Sequence, residues 1–175
     1  NTKYFMKNLF KLSFLLFAFV LASCSDDDTT AAEPTDDTNP TSISNFVATT
    51  ADYSTLANAL EITSLTETLN GEGPFTVFAP NNDAFAAFLA ANGFTSLEDV
   101  PVDVLTNTLL NHVVLGTNNA ADLTTSYINS LAVFGDTSRN LSLYIDVTTG
   151  VKINGVSTVT QADITVTNGV IHAVD

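Results

Sequence analysis

The sequence predicts a single α+β to mostly-β domain over residues 43–175, with helices in its first half and strands dominant in its second half. Apolar side chains recur at helical spacing across residues 53–109. They alternate strictly with polar side chains across residues 141–147, which is typical of a half-buried strand. Asn-Gly dipeptides at 154–155 and 168–169 favour tight hairpin turns between strands.

Residues 1–23 are typical of a secretory signal peptide, with Met6 as the expected true start. Lysines precede an apolar run at residues 12–22, which is too short to span a bilayer because spanning needs about 20 apolar residues. The run ends in Leu-Ala-Ser-Cys at residues 21–24, which resembles the bacterial lipobox, in which the cysteine is acylated. We therefore predict lipid attachment at Cys24, the only cysteine in the chain. The alternative is a free thiol near an ordinary cleavage site.

The part of the chain that follows the predicted signal peptide is strongly acidic. It holds all nineteen acidic residues and only two basic ones, Arg139 and Lys152, which gives a net charge of −17. Such a surface repels nucleic acid and anionic lipid headgroups, so we predict no nucleic-acid partner.

The segment 24–42 is predicted to be a lipidated cysteine followed by a disordered acidic tether. It has six acids, two prolines and no aromatic or large aliphatic residue, so it cannot bury enough apolar surface to offset its ordering entropy. The acids at its start, Ser-Asp-Asp-Asp at 25–28, resemble the export signal of surface lipoproteins in Bacteroidetes. The alternative is that these acids only keep the tether extended.

Helices are predicted first along the domain. A short helix opens at Phe46 and Val47. Two apolar stripes on different helix faces then predict two short helices with a bend at residues 61–63. The stripes are Tyr53, Leu56 and Leu60, and Ile62, Leu65 and Leu69. Asn70-Gly71 and Gly73-Pro74 end the helical run.

A strand and two further helices are predicted next. The strand is FTVFA at residues 75–79, and Pro80-Asn81-Asn82 ends it and caps a helix that stops at Asn92-Gly93. Thr95 and Glu98 have the spacing of a capping box. After Pro101, one more helix places three side chains on one face. These are Leu105, Leu109 and His112.

Three sequence segments resemble the signatures of fasciclin domains. They are FTVFAPNNDAF at 75–85, LLNHVVLG at 109–116 and NGVIHAVD at 168–175. The resemblance implies a wedge of two β-sheets with several helices packed in its N-terminal half. It also implies an extracellular module that binds matrix, a surface protein or a glycan.

The sequence departs from the fasciclin pattern at two places. Asn111 stands where the family usually has a tyrosine, which puts in doubt any binding that depends on that tyrosine. The sequence stops at Asp175, where fasciclin domains normally continue into a short closing strand. We therefore expect a domain truncated before that strand.

Three residues are candidates for chemistry, and we assign structural roles to all of them. His112 and His172 lie on predicted apolar faces, where a histidine is more often a hydrogen-bonded core residue than a ligand. Asp83 is expected to accept hydrogen bonds from backbone amides near a helix start. The sequence has no HExxH motif, G-x-S-x-G elbow or Gly-rich phosphate loop. No catalytic residue, metal or cofactor is predicted.

Asp163 and Ile164 form a candidate binding pair just before the last signature. They resemble the Asp-Ile segment through which some animal fasciclin domains are thought to engage integrins. The alternative, which we favour, is structural: Ile164 is a core residue, and Asp163 accepts hydrogen bonds from turn amides at the start of a strand.

Three functions remain open at this point. The first is a membrane-anchored adhesion or matrix-binding module at the outer membrane, facing either the cell surface or the periplasm. The second is an accessory subunit of an envelope complex. The third is a hydrolase of an extracellular polymer, for which the sequence shows no nucleophile and base together.

Overall fold

The computed structural model describes residues 41–135 and 137–175. The predicted signal peptide, the lipid attachment at Cys24 and nearly all of the predicted tether lie outside these residues and stay predictions. In the part of the chain that the structure describes, no helix has the length and apolar character needed to cross a membrane.

The first half of the domain is helical, as predicted. Its helices are α1 (Ile43–Thr49), α2 (Ser54–Ile62), α3 (Thr66–Asn70), α4 (Asn82–Asn92) and α5 (Val102–Leu110), with short 3₁₀ turns at Ala51–Tyr53 and Leu97–Asp99. The break between α2 and α3 falls at residues 63–65, slightly later than the predicted bend at 61–63, and Ser64 within it has a positive φ of 58°. The phase slip between the two apolar stripes therefore marks a real break between two helices.

Both ends of α4 follow the sequence prediction. The side-chain oxygen of Asn81 accepts a hydrogen bond from the Ala84 amide at 2.8 Å. Gly93 ends the helix with a left-handed φ of 75°. Asp83 was predicted to accept hydrogen bonds from backbone amides here, but the Asn81 side chain caps the Ala84 amide instead. Asp83 is exposed in the first turn, where its negative charge interacts favourably with the helix dipole.

The capping box after α4 was predicted one residue too early. It joins Ser96 and Asp99 instead of Thr95 and Glu98. Both pairs have the same spacing, but the Asp99 carboxylate accepts from the amides of Ser96 and Thr95 at 3.0 and 3.1 Å. The capping box therefore forms at Ser96 and Asp99, because the Asp99 carboxylate satisfies two backbone amides there.

The strands close into a barrel in which each strand pairs with its neighbours in chain order. They are β1 (Phe75–Pro80), β2 (Val113–Leu115), β3 (Ser126–Val133), β4 (Asn140–Asp146), β5 (Lys152–Ile153), β6 (Ser157–Val166) and β7 (Gly169–Val174). β7 closes the ring by pairing in parallel with β1, while the other pairs are antiparallel. Because β3 and β6 belong to both of its sheets, the structure confirms the predicted α+β fold with two joined sheets.

The two Asn-Gly pairs behave differently. Asn154 and Gly155 have positive φ values of 54° and 71°, as a tight hairpin turn requires. The second pair also lies at a tight hairpin, but one residue later than predicted: Thr167 and Asn168 form the turn, and Gly169 pairs with Val166 as the first residue of β7. Glycine is needed at 169 for space, because a Cβ there would collide with the backbone of Phe75 on β1.

Alternate side chains of β1 and β7 enter two separate apolar clusters. Val77, Ala79, Ile171 and Ala173 pack with the helices. Phe78 and Val174 point the other way, into the barrel, where they meet Leu143, Ile145 and Ile153. These two strands are therefore buried on both faces.

Asn168 fastens the turn before β7 to the helical half. Its side-chain oxygen accepts from the Ile43 amide at 3.0 Å. Its side-chain nitrogen donates to the carbonyls of Leu69 and Gly71 at 2.8 and 3.0 Å. One side chain thus joins the start of α1, the end of α3 and the last hairpin.

Candidate functional site: a surface loop held by buried polar groups

The loop at residues 116–123, between β2 and β3, is hydrogen-bonded to the side chain of Thr76. Thr76 lies on β1 and is fully buried. Its hydroxyl donates to the Gly116 carbonyl at 2.7 Å and accepts from the Asn118 amide at 2.9 Å. The Asn118 side chain donates to the same hydroxyl at 3.1 Å. One buried hydroxyl therefore fixes the first part of the 116–123 loop.

His172 holds the same loop from β7. Its Nε2 lies 2.8 Å from the Asn118 carbonyl, and its Nδ1 lies 3.2 Å from the Asp163 amide. A carbonyl only accepts and a backbone N–H only donates, so Nε2 donates to the Asn118 carbonyl while Nδ1 accepts from the Asp163 amide. The ring is fully buried and stacks on Phe78 with centroids 5.4 Å apart. The backbone occupies both nitrogens, which fits the structural role expected for this histidine.

Asp163 holds the middle of the 116–123 loop from β6. Its Oδ1 accepts from the Ala120 amide at 2.8 Å and lies 4.0 Å from Nδ1 of His172. The expected position at a strand start is wrong: β6 begins at Ser157, and Asp163 sits at an irregularity in the strand with a φ of 60°. Asp and Asn tolerate this conformation better than most residues because their short side chains can bond locally. The side chain is 45% exposed, so the carboxylate borders both the loop and solvent.

Ile164 is half-buried against the cluster beneath the helices. A binding role for the Asp163-Ile164 pair requires both side chains to be exposed, and Ile164 is not. The half-burial of Ile164 also lowers the expected cost of Ile164→Ala below the roughly 2–5 kcal/mol of a fully buried site.

Asn111, at the family's tyrosine position, is directed inward. The buried hydroxyl of Ser130 on β3 lies 2.8 Å from the Asn111 side-chain oxygen and 3.0 Å from the Leu141 carbonyl. Asn111 thus ties the end of α5 to the barrel.

His112 was expected on a face of the fifth helix but lies just beyond its end. Its Nδ1 donates to the Thr108 carbonyl at 2.7 Å, which satisfies one of the last helical carbonyls. Burial lowers the pKa of His112 below its ordinary value of 6.5, and the hydrogen bond to Thr108 opposes this only in part. The ring is therefore neutral at pH 7.

A cleft of about 560 Å³ opens beside His112, between α4, α5 and the turn before β6. Its wall is mainly apolar, and its volume is within the range of small-ligand sites. Ser157 and Asp175 also line it, so a serine, a histidine and an aspartate share one cleft. Their hydrogen bonds do not join them: His112 donates to Thr108, and Asp175 accepts from the Thr158 amide. A nucleophile needs its base within hydrogen-bond reach, and this arrangement does not supply one.

Metal ligation finds no support in residues 41–135 and 137–175. No group of three or more His, Cys, Asp or Glu side chains in these ranges is placed to hold a metal ion.

Sequence reasoning missed Thr76, Asn118 and Asn168, which together position the loop and the last hairpin. One signal could have found Thr76. It is a hydroxyl within a strand that is apolar on both faces, and such a group needs a buried partner.

The described residues thus form a strand-closed barrel with a helical layer, and side chains from three strands hold the 116–123 loop. Residues 51–175 match the model of the Fasciclin domain, and the chain belongs to this family.

Known proteins share this domain at several levels of similarity. Protein sll1483 of Synechocystis sp. is 43% identical over 124 residues, which cover 70% of this chain and 64% of that protein. Human periostin is 31% identical over 137 residues, covering 77% of this chain but only 15% of periostin. In a solved structure, a FAS1 domain pair from the insect cell adhesion molecule Fasciclin I matches 77% of this chain and 49% of that chain, with a TM-score of 0.59 and 16% identity. That similarity confirms the fold, and it shows that fasciclin domains occur in cell-adhesion proteins.

Proposed function

We propose that the chain is a membrane-anchored, extracytoplasmic adhesion module that binds extracellular matrix, a surface protein or a glycan without catalysis. Cys24 supplies the lipid anchor, and residues 25–42 supply the tether. The module belongs to the outer membrane, facing the cell surface or the periplasm.

The hydrogen bonding of the 116–123 loop carries this proposal. Thr76, His172 and Asp163 lie on three different strands, yet each directs its polar atoms to this loop. Recognition residues commonly lie on loops that a rigid scaffold positions. A loop ordered before binding loses less conformational entropy when a ligand docks, so a held loop favours recognition.

Two further observations agree with adhesion in preference to hydrolysis. The insect protein with the same fold is a cell adhesion molecule. The cleft beside His112 has the residue types of a hydrolase, but their hydrogen bonds run to the backbone.

A loop variant tests the binding surface. Ala121 is exposed in the turn at the end of the 116–123 loop, so Ala121→Arg is expected to abolish attachment while leaving the melting temperature unchanged. Ala90→Arg, at an exposed position of α4, is the matched control and is expected to attach normally. The measurement is attachment of cells carrying each variant to surfaces coated with matrix proteins or glycans. Normal attachment of Ala121→Arg would refute the assignment of the loop.

A second variant tests the anchor. Cys24→Ala removes the acylated thiol and is expected to move the protein from the membrane to the soluble fraction, because the acyl chains supply the proposed membrane attachment. Retention in the membrane would overturn the lipid anchor. Protease treatment of intact cells then distinguishes surface display from a periplasmic position, and a pull-down from cells tests the accessory-subunit alternative.

A further inference from the structure

The outer face of strands β3 and β4 carries two neighbouring tyrosines. Tyr127 lies directly opposite Tyr144 in the strand register. Their ring centroids are 5.1 Å apart, and the ring planes are tilted by 47°. The neighbouring residues Leu143 and Ile145 point into the barrel, so Tyr144 points outward. Tyr127 is 74% exposed.

Polar groups flank the two rings on the same face. We call this surface the tyrosine face; it comprises Tyr127, Asn129, Ser142, Tyr144, Asp146 and Lys152. The Ser142 hydroxyl donates to the Asn129 side-chain oxygen at 3.2 Å on one side of the rings. Asp146 lies opposite Lys152 on the other side, so the charges on the face offset each other.

The tyrosine face is open within the described residues. Strands β4 and β5 pack mainly against their neighbouring strands, and although β3 also packs against α5, its Tyr127 side chain stays exposed. A cross-strand aromatic pair stabilises a hairpin by roughly 0.2–1 kcal/mol, which accounts for the pairing. It does not account for a Tyr127 ring that stays open to solvent beside the half-buried Tyr144, and exposed apolar surface is a feature of binding sites.

We propose that the tyrosine face is a second binding surface, in addition to the 116–123 loop, and that it binds a neutral polysaccharide. A stable protein interface buries about 800 Å² on each partner. Two tyrosines supply at most about 300–500 Å², and their neighbours are polar. The apolar area is therefore too small for a protein partner but sufficient for sugar rings.

The charge of the chain and the hydrogen-bonding groups of the tyrosine face favour a neutral polysaccharide over an acidic one. The chain beyond the predicted signal peptide carries nineteen acids against two basic residues, so an acidic polymer is repelled. A neutral sugar presents apolar C–H faces that can stack on tyrosine rings. Its hydroxyls both donate and accept, as the amide of Asn129 and the hydroxyl of Ser142 also do.

Native electrophoresis of the full chain in gels that contain a polysaccharide tests this proposal. The neutral probes are mixed-linkage β-glucan, xyloglucan and galactomannan, and the acidic probe is alginate. Wild type is expected to be retarded by at least one neutral polymer and to migrate normally in alginate. Tyr127→Ala is expected to weaken retardation at least about fivefold, the lower end of what losing one stacking ring costs planar ligands.

Phe134→Ala is the matched control, because Phe134 is a 67% exposed aromatic side chain outside the tyrosine face. It is expected to bind like wild type, and unchanged melting temperatures show that both variants are folded. Normal migration in all three neutral polymers, or equal retardation of Tyr127→Ala, overturns the proposal. Loss of attachment to a matrix protein in Tyr127→Ala, without polysaccharide binding, assigns the face to a protein partner and also overturns it. None of these results decides the adhesion proposal, which Ala121→Arg tests in the 116–123 loop.

Discussion

The regions around His172 and His112 use the same side chain in different ways. At His172, backbone groups occupy both ring nitrogens, and the ring lies inside the barrel. At His112, only Nδ1 has a hydrogen-bond partner among the described residues, and the ring borders a cleft. The histidine of one signature segment thus has both ring nitrogens bonded to the backbone, whereas the histidine of the other has one nitrogen without a partner among the described residues.

The largest expected effect is that of His172→Ala. It leaves the Asn118 carbonyl and the Asp163 amide without partners, which costs roughly 1–3 kcal/mol of unfolding free energy, with a further cost for the cavity. His112→Ala is the comparison and is expected to cost about 0.5–1.5 kcal/mol, the contribution of one hydrogen bond. Chemical denaturation measures both. Equal costs for the two variants would remove the distinction between these regions.

Asp163→Ala is expected to have an intermediate effect, about 1–2 kcal/mol. It removes the hydrogen bond to the Ala120 amide and places a residue with a Cβ but no local acceptor at a φ of 60°. Asp163→Asn keeps an acceptor oxygen and tolerates the same φ, so it is expected to remain within about 0.5 kcal/mol of wild type. If Asp163→Ala instead melts like wild type but loses attachment, Asp163 is a recognition residue.

The smallest expected effect is the pH response of His112→Asn. Burial lowers the pKa of His112 in the folded state, so above pH 6.5 the ring is neutral in both states and contributes nothing. Below pH 6.5 the unfolded chain takes up a proton that the folded chain resists, so wild type loses stability as the pH falls toward the folded pKa. The variant lacks this loss, which amounts to less than about 1 kcal/mol between pH 6.5 and 5.5.

Melting curves across pH 7.5 to 5.5 measure this difference. The carboxylates are common to both proteins, so their contribution cancels when the two curves are subtracted. A difference that stays constant with pH would show that the His112 ring is not held neutral.

Local patterns in the sequence predicted much of the fold. The two apolar stripes before residue 70, the Asn81 cap and the alternation in β4 each depend on residues close together in the chain. The capping box could not be placed, since Thr95 with Glu98 and Ser96 with Asp99 share one spacing and only the folded geometry separates them. The Bacteroidetes-like assignment stays a prediction, and one of the matched relatives is from Synechocystis.

The candidate surfaces were less predictable because they depend on contacts between distant segments. Asn118 meets His172 across 54 residues, and Thr76 meets Asn118 across 42. Tyr127 and Tyr144 are paired only because β3 and β4 align in one particular register. The sequence of β3 does not reveal that register, since the strand has an irregularity after Asn129. Sequence periodicity predicts which face of a helix or strand is buried, but it does not predict which helices and strands contact each other.

The parallel pairing of β1 with β7 also has a consequence for the order of folding. Phe75 lies opposite Gly169, so the two strands that close the barrel are separated by most of the domain. A chain synthesised from its N-terminus can form its helices early, but the cluster beneath them lacks Ile171 and Ala173 until β7 emerges. Contacts of such long sequence separation fold slowly, because the intervening chain must first lose the entropy of loop closure. The final hairpin, bonded through Asn168 to α1 and α3, therefore supplies long-range contacts that the helical half lacks until the end of the domain is present.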